Sequence, residues 1–156
     1  MAEQMKIISG GQTGADRAAL DAAIQLGIDH GGWLPRGRKT EDGPLPLRYQ
    51  LKELGSYHYR QRTEQNVIDS DGTLLCSFGA LKGGTALTEA FAIKHNRPFV
   101  HIDFDQTGQK QARQILEEWL VKHAITVLNV AGSRLSSEPR IYAAVYELLI
   151  AAIPIK

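Results

Sequence analysis

The chain has 156 residues, 43% hydrophobic and 22% charged. That balance excludes disorder and fibrous structure, and the length lets one domain, expected to run from 1 to 156, bury about two-thirds of its unfolded surface. Eighteen basic against 17 acidic residues leave a formal net charge of +1, so no overall field draws nucleic acid or anionic lipid and any anion site must be local. A single cysteine, Cys76, excludes an internal disulfide. With no apolar leader at 1–6 and no greasy run longer than Leu148–Ile153, a reducing, cytoplasmic setting without membrane attachment is expected.

In chain order, Ile7-Ile8 runs into Ser9-Gly10-Gly11-Gln12-Thr13-Gly14-Ala15-Asp16 and then into a helical pattern that stops at Gly27. This reads as strand, glycine loop, helix. Thr13 is expected to cap the helix, with Asp16 reaching back in a variant of the capping box. The loop lacks the Gly-Lys-Ser/Thr of a Walker loop, and Ser9 stands where a dinucleotide fingerprint needs glycine. Two readings stay open: amides of 11–14 gathered round an anion, or a tight turn whose glycines only relieve crowding. A short second strand over 28–33 comes next. Residues 34–47, with three prolines and two glycines, form a long irregular connection carrying Arg36, Arg38 and Lys39.

A helix over 59–69 places Thr63 and Asn66 on a polar face. The run Thr73 to Phe78 predicts a strand buried on both faces, followed by a second glycine loop, Gly79 to Thr85, and a helix ending near Asn96. A strand over 99–102, a helix striped by Ala112, Ile115, Leu116, Trp119 and Leu120, a strand over 126–130 and a final helix from Ile141 complete the chain. Strands alternating with helices, without a hairpin signal, predict a single Rossmann-like, doubly wound α/β domain. Its open, mainly parallel sheet has about five strands with helices on both faces. In the order 2-1-3-4-5 the first and third strands would be neighbours, and their glycine loops would make one pocket at the C-terminal ends.

The ligand-binding residues expected on this reading are Gly10, Gly11, Gln12, Thr13 and Gly14 from the first loop and Gly83, Gly84 and Thr85 from the second. Arg36 and Arg38 would close over an oxyanion, and Thr63 and Asn66 would supply neutral hydrogen bonds. Arg60, Arg62 and Glu64 are expected to pair among themselves at the surface. The histidines show no metal spacing, and no metal site is expected. His101, Asp103 and Asp105 could converge on a cation, but strand-end aspartates serve more often as caps. No serine sits in a nucleophile elbow.

Seven blocks in order carry a resemblance. Residues 9–16, Gly32-Trp33-Leu34-Pro35-Arg36-Gly37-Arg38, Glu41-Asp42-Gly43, Arg62-Thr63-Glu64-Gln65-Asn66-Val67, Asp69-Ser70-Asp71-Gly72-Thr73, Gly83-Gly84-Thr85 and Asn129-Val130-Ala131-Gly132 together resemble the putative molybdenum carrier family. That family is the circularly permuted YpsA-like group of a Rossmann-like superfamily containing DprA and the lysine-decarboxylase-like phosphoribohydrolases. The resemblance implies a homo-oligomer, dimer or tetramer, that holds a small anionic ligand of molybdopterin or nucleotide type. Molybdenum cofactor would be cargo, with no cofactor required. The alternative is a nucleotide N-glycosidic hydrolase. Its relatives' Pro-Gly-Gly-x-Gly-Thr-x-x-Glu loop is matched by Leu81 to Glu89, but Glu89 falls one residue late and is turned about 100° round the helix. Glu89, with Glu64 as second choice, is the catalytic candidate on that reading; binding or carriage is favoured.

Overall fold

The computed structural model describes residues 4–154. In chain order the elements are β1 (Lys6–Ile8), α1 (Ala15–Leu26), β2 (Asp29–Gly31), β3 (Trp33–Leu34), β4 (Lys39–Thr40), β5 (Gly43–Pro44), β6 (Lys52–Glu53), α2 (Tyr59–Ile68), β7 (Gly72–Ser77), α3 (Gly83–Lys94), β8 (Phe99–Asp103), α4 (Gln109–Lys122), β9 (Val127–Gly132) and α5 (Ile141–Ala152). The main sheet is five-stranded and wholly parallel, in the order β2-β1-β9-β7-β8. Helices α1, α5 and α4 pack side by side on one face, and α2 and α3 pack together on the other.

The α/β class, the parallel sheet and all five helices agree with the sequence reading. The strand order does not. The last strand lies at the centre, between β1 and β7, instead of at an edge. Two local devices hold it there. Asp71, just before β7, accepts hydrogen bonds on Oδ2 from Thr126 N (3.0 Å), Thr126 Oγ1 (2.8 Å) and Val127 N (2.8 Å), docking the start of β9 beside β7. At the other end, a Cβ on Gly132 would lie 2.6 Å from both Ala15 Cβ and Cys76 O, so only glycine lets β9 fit between α1 and β7. Neither device has a periodicity that sequence reading could catch.

The principal core lies on the α1/α4/α5 face and is built from Ile7, Leu74, Cys76, Ile102, Leu128 and Val130 of the strands against Ala19, Leu116, Val145 and Leu149 of the helices. Continuous apolar strands of this kind follow from covering both sheet faces. Cys76 is fully buried there, and burial pushes its thiol well above the ordinary range, so it serves as a packing group. On the opposite face Val67, Phe91 and Ala92 make a smaller cluster between α2 and α3.

The irregular connection is more ordered than its prolines and glycines suggest. With the residues that follow it, it packs Leu34, Leu45, Tyr49 and Leu51 against Leu20 of α1 as a third cluster. It also contains an antiparallel pair, β4 with β5, that the sequence reading did not expect. Arg38, in the left-handed region at φ 57, ties the loop together. Its guanidinium donates to Leu45 O (2.9 Å), Pro46 O (3.0 Å), Tyr49 O (2.6 Å) and Leu51 O (3.4 Å). A lysine cannot reproduce that fork. Arg38→Lys is expected to lower stability by about 2–3 kcal/mol, measured by urea unfolding, because several carbonyls lose a charged donor at once.

Candidate functional site

The C-terminal ends of β1, β9 and β7 lie side by side, so the loops at 10–14, 133–135 and 79–85 meet on one rim of the sheet. The first loop is largely closed on itself. Gly11 N donates to Ser9 Oγ (3.3 Å), Gln12 N to Asp16 Oδ2 (3.3 Å) and Thr13 N to Gln12 Oε1 (3.1 Å). Three of the four amides expected to face an anion are therefore engaged, which corrects that expectation. Of the second loop's expected donors, Thr85 N bonds Lys82 O (3.1 Å), leaving Gly83 and Gly84 to open α3 with their amides unengaged among the described residues. The helix cap is also not the expected one. Gly14 is the N-cap, without a side-chain bond, while Asp16 bonds the amide of Gln12.

Gly11 and Gly14 relieve crowding, as the second open reading held. Gly11 (φ 74) would set a Cβ 2.9 Å from Leu45 Cδ2, and Gly14 (φ 82) one 2.3 Å from Ser133 O. Thr13 Oγ1 accepts from Leu135 N (3.2 Å) and is hydrogen-bonded to Glu41. Glu41 also accepts from Ser136 Oγ (2.6 Å), and these hydroxyl bonds, that of Ser136 foremost, hold its carboxyl below the usual range. The loop after β9 is thus clamped to the first loop.

Gly10 differs from its neighbours, because the guanidinium of Arg62 lies directly on it: a Cβ there would be 1.9 Å from Nη1. Arg62 comes from α2 on the far face of the sheet and is not the surface group the sequence suggested. Its side chain is 13% exposed and its Nη1 stands 3.6 Å from Asp16 Oδ2. Burial drives Asp16 above the ordinary carboxylate range, against the pull of Arg62, and burial lowers the guanidinium too. Arg62 Nε and Gln12 Nε2 are buried donors with no acceptor among the described residues. Orphaned buried donors are rare, and a water, an ion or a ligand oxygen would satisfy them.

Around Tyr59, the first residue of α2, three cations gather. Lys39 Nζ is 5.6 Å, Arg62 Cζ 5.5 Å and Arg134 Cζ 5.3 Å from the ring centroid. Lys39 and Arg134 are exposed, and among the described residues neither forms an ion pair. Asp16 and Glu41 stand among these cations, both within the field of Arg134, so the rim gathers three cations against two carboxyl groups.

Several expected residues lie outside this cluster. Arg38 is committed to the connection, and Arg36 rests over the exposed Tyr57 ring at 5.3 Å. Thr63 Oγ1 bonds Tyr59 O (2.9 Å) within α2. Asn66 is engaged by the backbone of Trp33, accepting from its N (2.7 Å) and donating to its O (3.0 Å). Glu64 pairs with Lys94 Nζ (3.0 Å) and His95 Nε2 (2.7 Å) at the end of α3, far along the helix from the glycine loops. Glu89 is half-buried on α3 and makes no polar contact among the described residues. Asp103 acts as a cap, accepting from Gly79 N (2.7 Å) and Asp105 N (2.9 Å), while His101 Nε2 meets Ser77 Oγ at 2.6 Å. No group of three metal-binding side chains occurs among the described residues.

A model of the circularly permutated YpsA SLOG family matches residues 7–153. The chain belongs to that family. A solved structure of a putative molybdenum carrier protein from Syntrophus aciditrophicus SB is 52% identical to it, covering 97% of this chain and 96% of that one, with a TM-score of 0.95. No curated protein matches it. Among the described residues of this YpsA SLOG member no helix is long and apolar enough to cross a membrane.

Sequence reasoning missed Arg62, Asp16 as its partner, Tyr59 and Arg134. The family blocks held Arg62, and Arg134 directly follows Gly132-Ser133, so proximity to a glycine loop was the available signal. What the sequence could not show is that α2 folds back across the sheet to lay Arg62 on Gly10.

Proposed function

We propose that this YpsA SLOG protein is a binding or carrier protein for a small oxyanion-bearing ligand. The ligand would be held on the rim formed by the C-terminal ends of β1, β9 and β7. The observation that carries this reading is Arg62 lying against Gly10 with a buried Nε that has no acceptor among the described residues, flanked by Lys39 and Arg134, which form no ion pair among them. Guanidinium groups match paired phosphate or carboxylate oxygens, and their donors here take the place first assigned to the loop amides. Gly83 and Gly84, at the start of α3, supply further amides. Molybdenum cofactor, with its phosphate, is the proposed cargo, in line with the name of the solved relative; the pterin would reach toward Tyr59. The hydrolase reading is less favoured, since Glu64 is tied to Lys94 and His95 at the end of α3 and Glu89 falls one residue late in the matched loop.

Titration calorimetry with molybdopterin, AMP and molybdate tests this. At least one is expected to bind saturably, and Arg134→Ala and Lys39→Ala are each expected to weaken it about tenfold, near 1.4 kcal/mol. Incubation with AMP is expected to release no adenine. Failure of all three to bind, or binding unchanged in both variants, would overturn the assignment.

A further inference from the structure

On the α2 face of the sheet a cleft of about 170 Å³ opens over β1 and β2, reaching from Lys6 to Ile8 and to Gly32, which lies against Ser9 at the start of the first glycine loop. Its floor is apolar, from Ile8 and Val127, and its walls carry Lys6, Lys52 and Trp33. Lys6 and Val127 begin β1 and β9, so the cleft runs from the end of the strands opposite the cationic rim.

Trp33 is half-buried yet held on every side. Its main chain is clamped by Asn66, and its indole Nε1 donates to Asp69 Oδ2 (2.7 Å), whose Oδ1 accepts from Gln65 Nε2 (2.9 Å). A fixed, partly exposed indole beside a cleft is a preorganised wall for a flat ligand, which then loses little ordering entropy on the protein's side. The charges are arranged to match. Lys52 Nζ lies over the Trp33 ring, 5.5 Å from its centre, in a cation–π contact, so a ligand ring along the indole would lie beside this ammonium, and Lys6 lies alongside Gly31, where a Cβ would stand 3.5 Å from Nζ. Neither lysine has an ion-pair partner among the described residues, although Asp29 is the register partner of Lys6. Asp69, the carboxylate in the wall, is already bonded by the indole and by Gln65. His30 Nε2 accepts from Gln50 N (3.1 Å), and burial keeps the ring below the ordinary imidazole range, so at neutral pH it is uncharged and holds its proton on Nδ1.

We propose that this cleft is a second ligand site, for a single-ring aromatic carboxylate whose ring lies along Trp33 and whose carboxylate meets the ammonium groups of Lys6 and Lys52. The volume falls below the range of drug-sized pockets, about 300–1,000 Å³, which limits the occupant to one ring. A bare inorganic anion would leave the indole and the apolar floor wet. The proposal does not depend on the rim site.

The test uses benzoate and follows Trp33 emission, Trp119 on α4 being the chain's other, buried tryptophan. Saturable quenching is expected, with Lys6→Gln and Lys52→Gln each weakening benzoate about fivefold to tenfold. Cyclohexanecarboxylate, of equal charge without a π system, is expected to bind about tenfold more weakly, and inorganic phosphate not to displace benzoate. Amide shifts of Gly31 and Gly32 on adding benzoate give a second readout that does not rely on the fluorophore. Absence of saturation at millimolar benzoate, affinity unchanged in both lysine variants, or displacement by phosphate would each overturn the proposal.

Discussion

Arg62→Leu is expected to destabilise the fold by about 3–5 kcal/mol at pH 7, because it leaves the Asp16 carboxylate buried without its cation. The loss should depend on pH in a defined direction. Asp16 sits above its ordinary value in the folded chain, chiefly through burial, so the native state holds this proton more tightly than the unfolded one. Its contribution to stability is fully present below the unfolded value, near 4, and is lost as pH rises through the raised native value. Removing Arg62 takes away the largest opposing influence and raises the native value further. The gap between variant and wild type should therefore be widest at neutral pH and narrow toward pH 5. Urea unfolding at the two pH values measures this, and adding Asp16→Asn to the leucine variant should recover part of the loss. An equal gap at both pH values would show that Asp16 is not the partner through which Arg62 acts.

Gly14→Ala is the second change with a large expected effect, and Gly37→Ala is its control. Both glycines have positive φ, 82 and 83, and Gly14, at ψ −127, also lies outside the left-handed helical basin, which adds backbone strain to any substitution there. An alanine at Gly37 meets nothing within 4 Å and should lose only about 1 kcal/mol to backbone strain. At Gly14 the new methyl would fall 2.3 Å from Ser133 O and 2.8 Å from Leu135 N. That backbone cannot retreat freely, since Ala15 N bonds Ser133 O (3.1 Å) and Leu135 N bonds Thr13 Oγ1 (3.2 Å). A loss of about 3 kcal/mol or more, or roughly 6–12 °C in Tm, is expected for Gly14→Ala by thermal melting. Similar melting temperatures for the two variants would show that the contact between the 10–14 and 133–135 loops is loose in solution.

Local pattern made most of the architecture legible. The 3.6-residue stripe of α4, the unbroken apolar run of β7 and the Gly27 stop of α1 each arise from neighbours in sequence, and all appear where expected. The position of β9 and the lodging of Arg62 on Gly10 depend on contacts between segments far apart in the chain. No periodicity encodes them. Glycine proved ambiguous for a physical reason: a missing Cβ serves a bound anion, a packed leucine, a crossing backbone or a guanidinium equally well, and here Gly11, Gly14 and Gly10 serve the last three. Arg38 and Asn66 misled in the opposite sense, because the donors that suit a ligand suit unpaired carbonyls in an irregular loop as well.

The central place of β9 also governs how the chain can reach its native state. The units β1–α1–β2 and β7–α3–β8 are each local, but Lys6 pairs with Val127 and Gly72 with Leu128, so neither unit joins the other until the last strand inserts. Until β9 pairs, the edges of β1 and β7 that face each other lack their partner strand. Such edges are templates for pairing with other chains, and the long loop closure makes the final step slow. Asp71, whose single oxygen gathers three donors from Thr126 and Val127, fixes the register of that strand once it is in place.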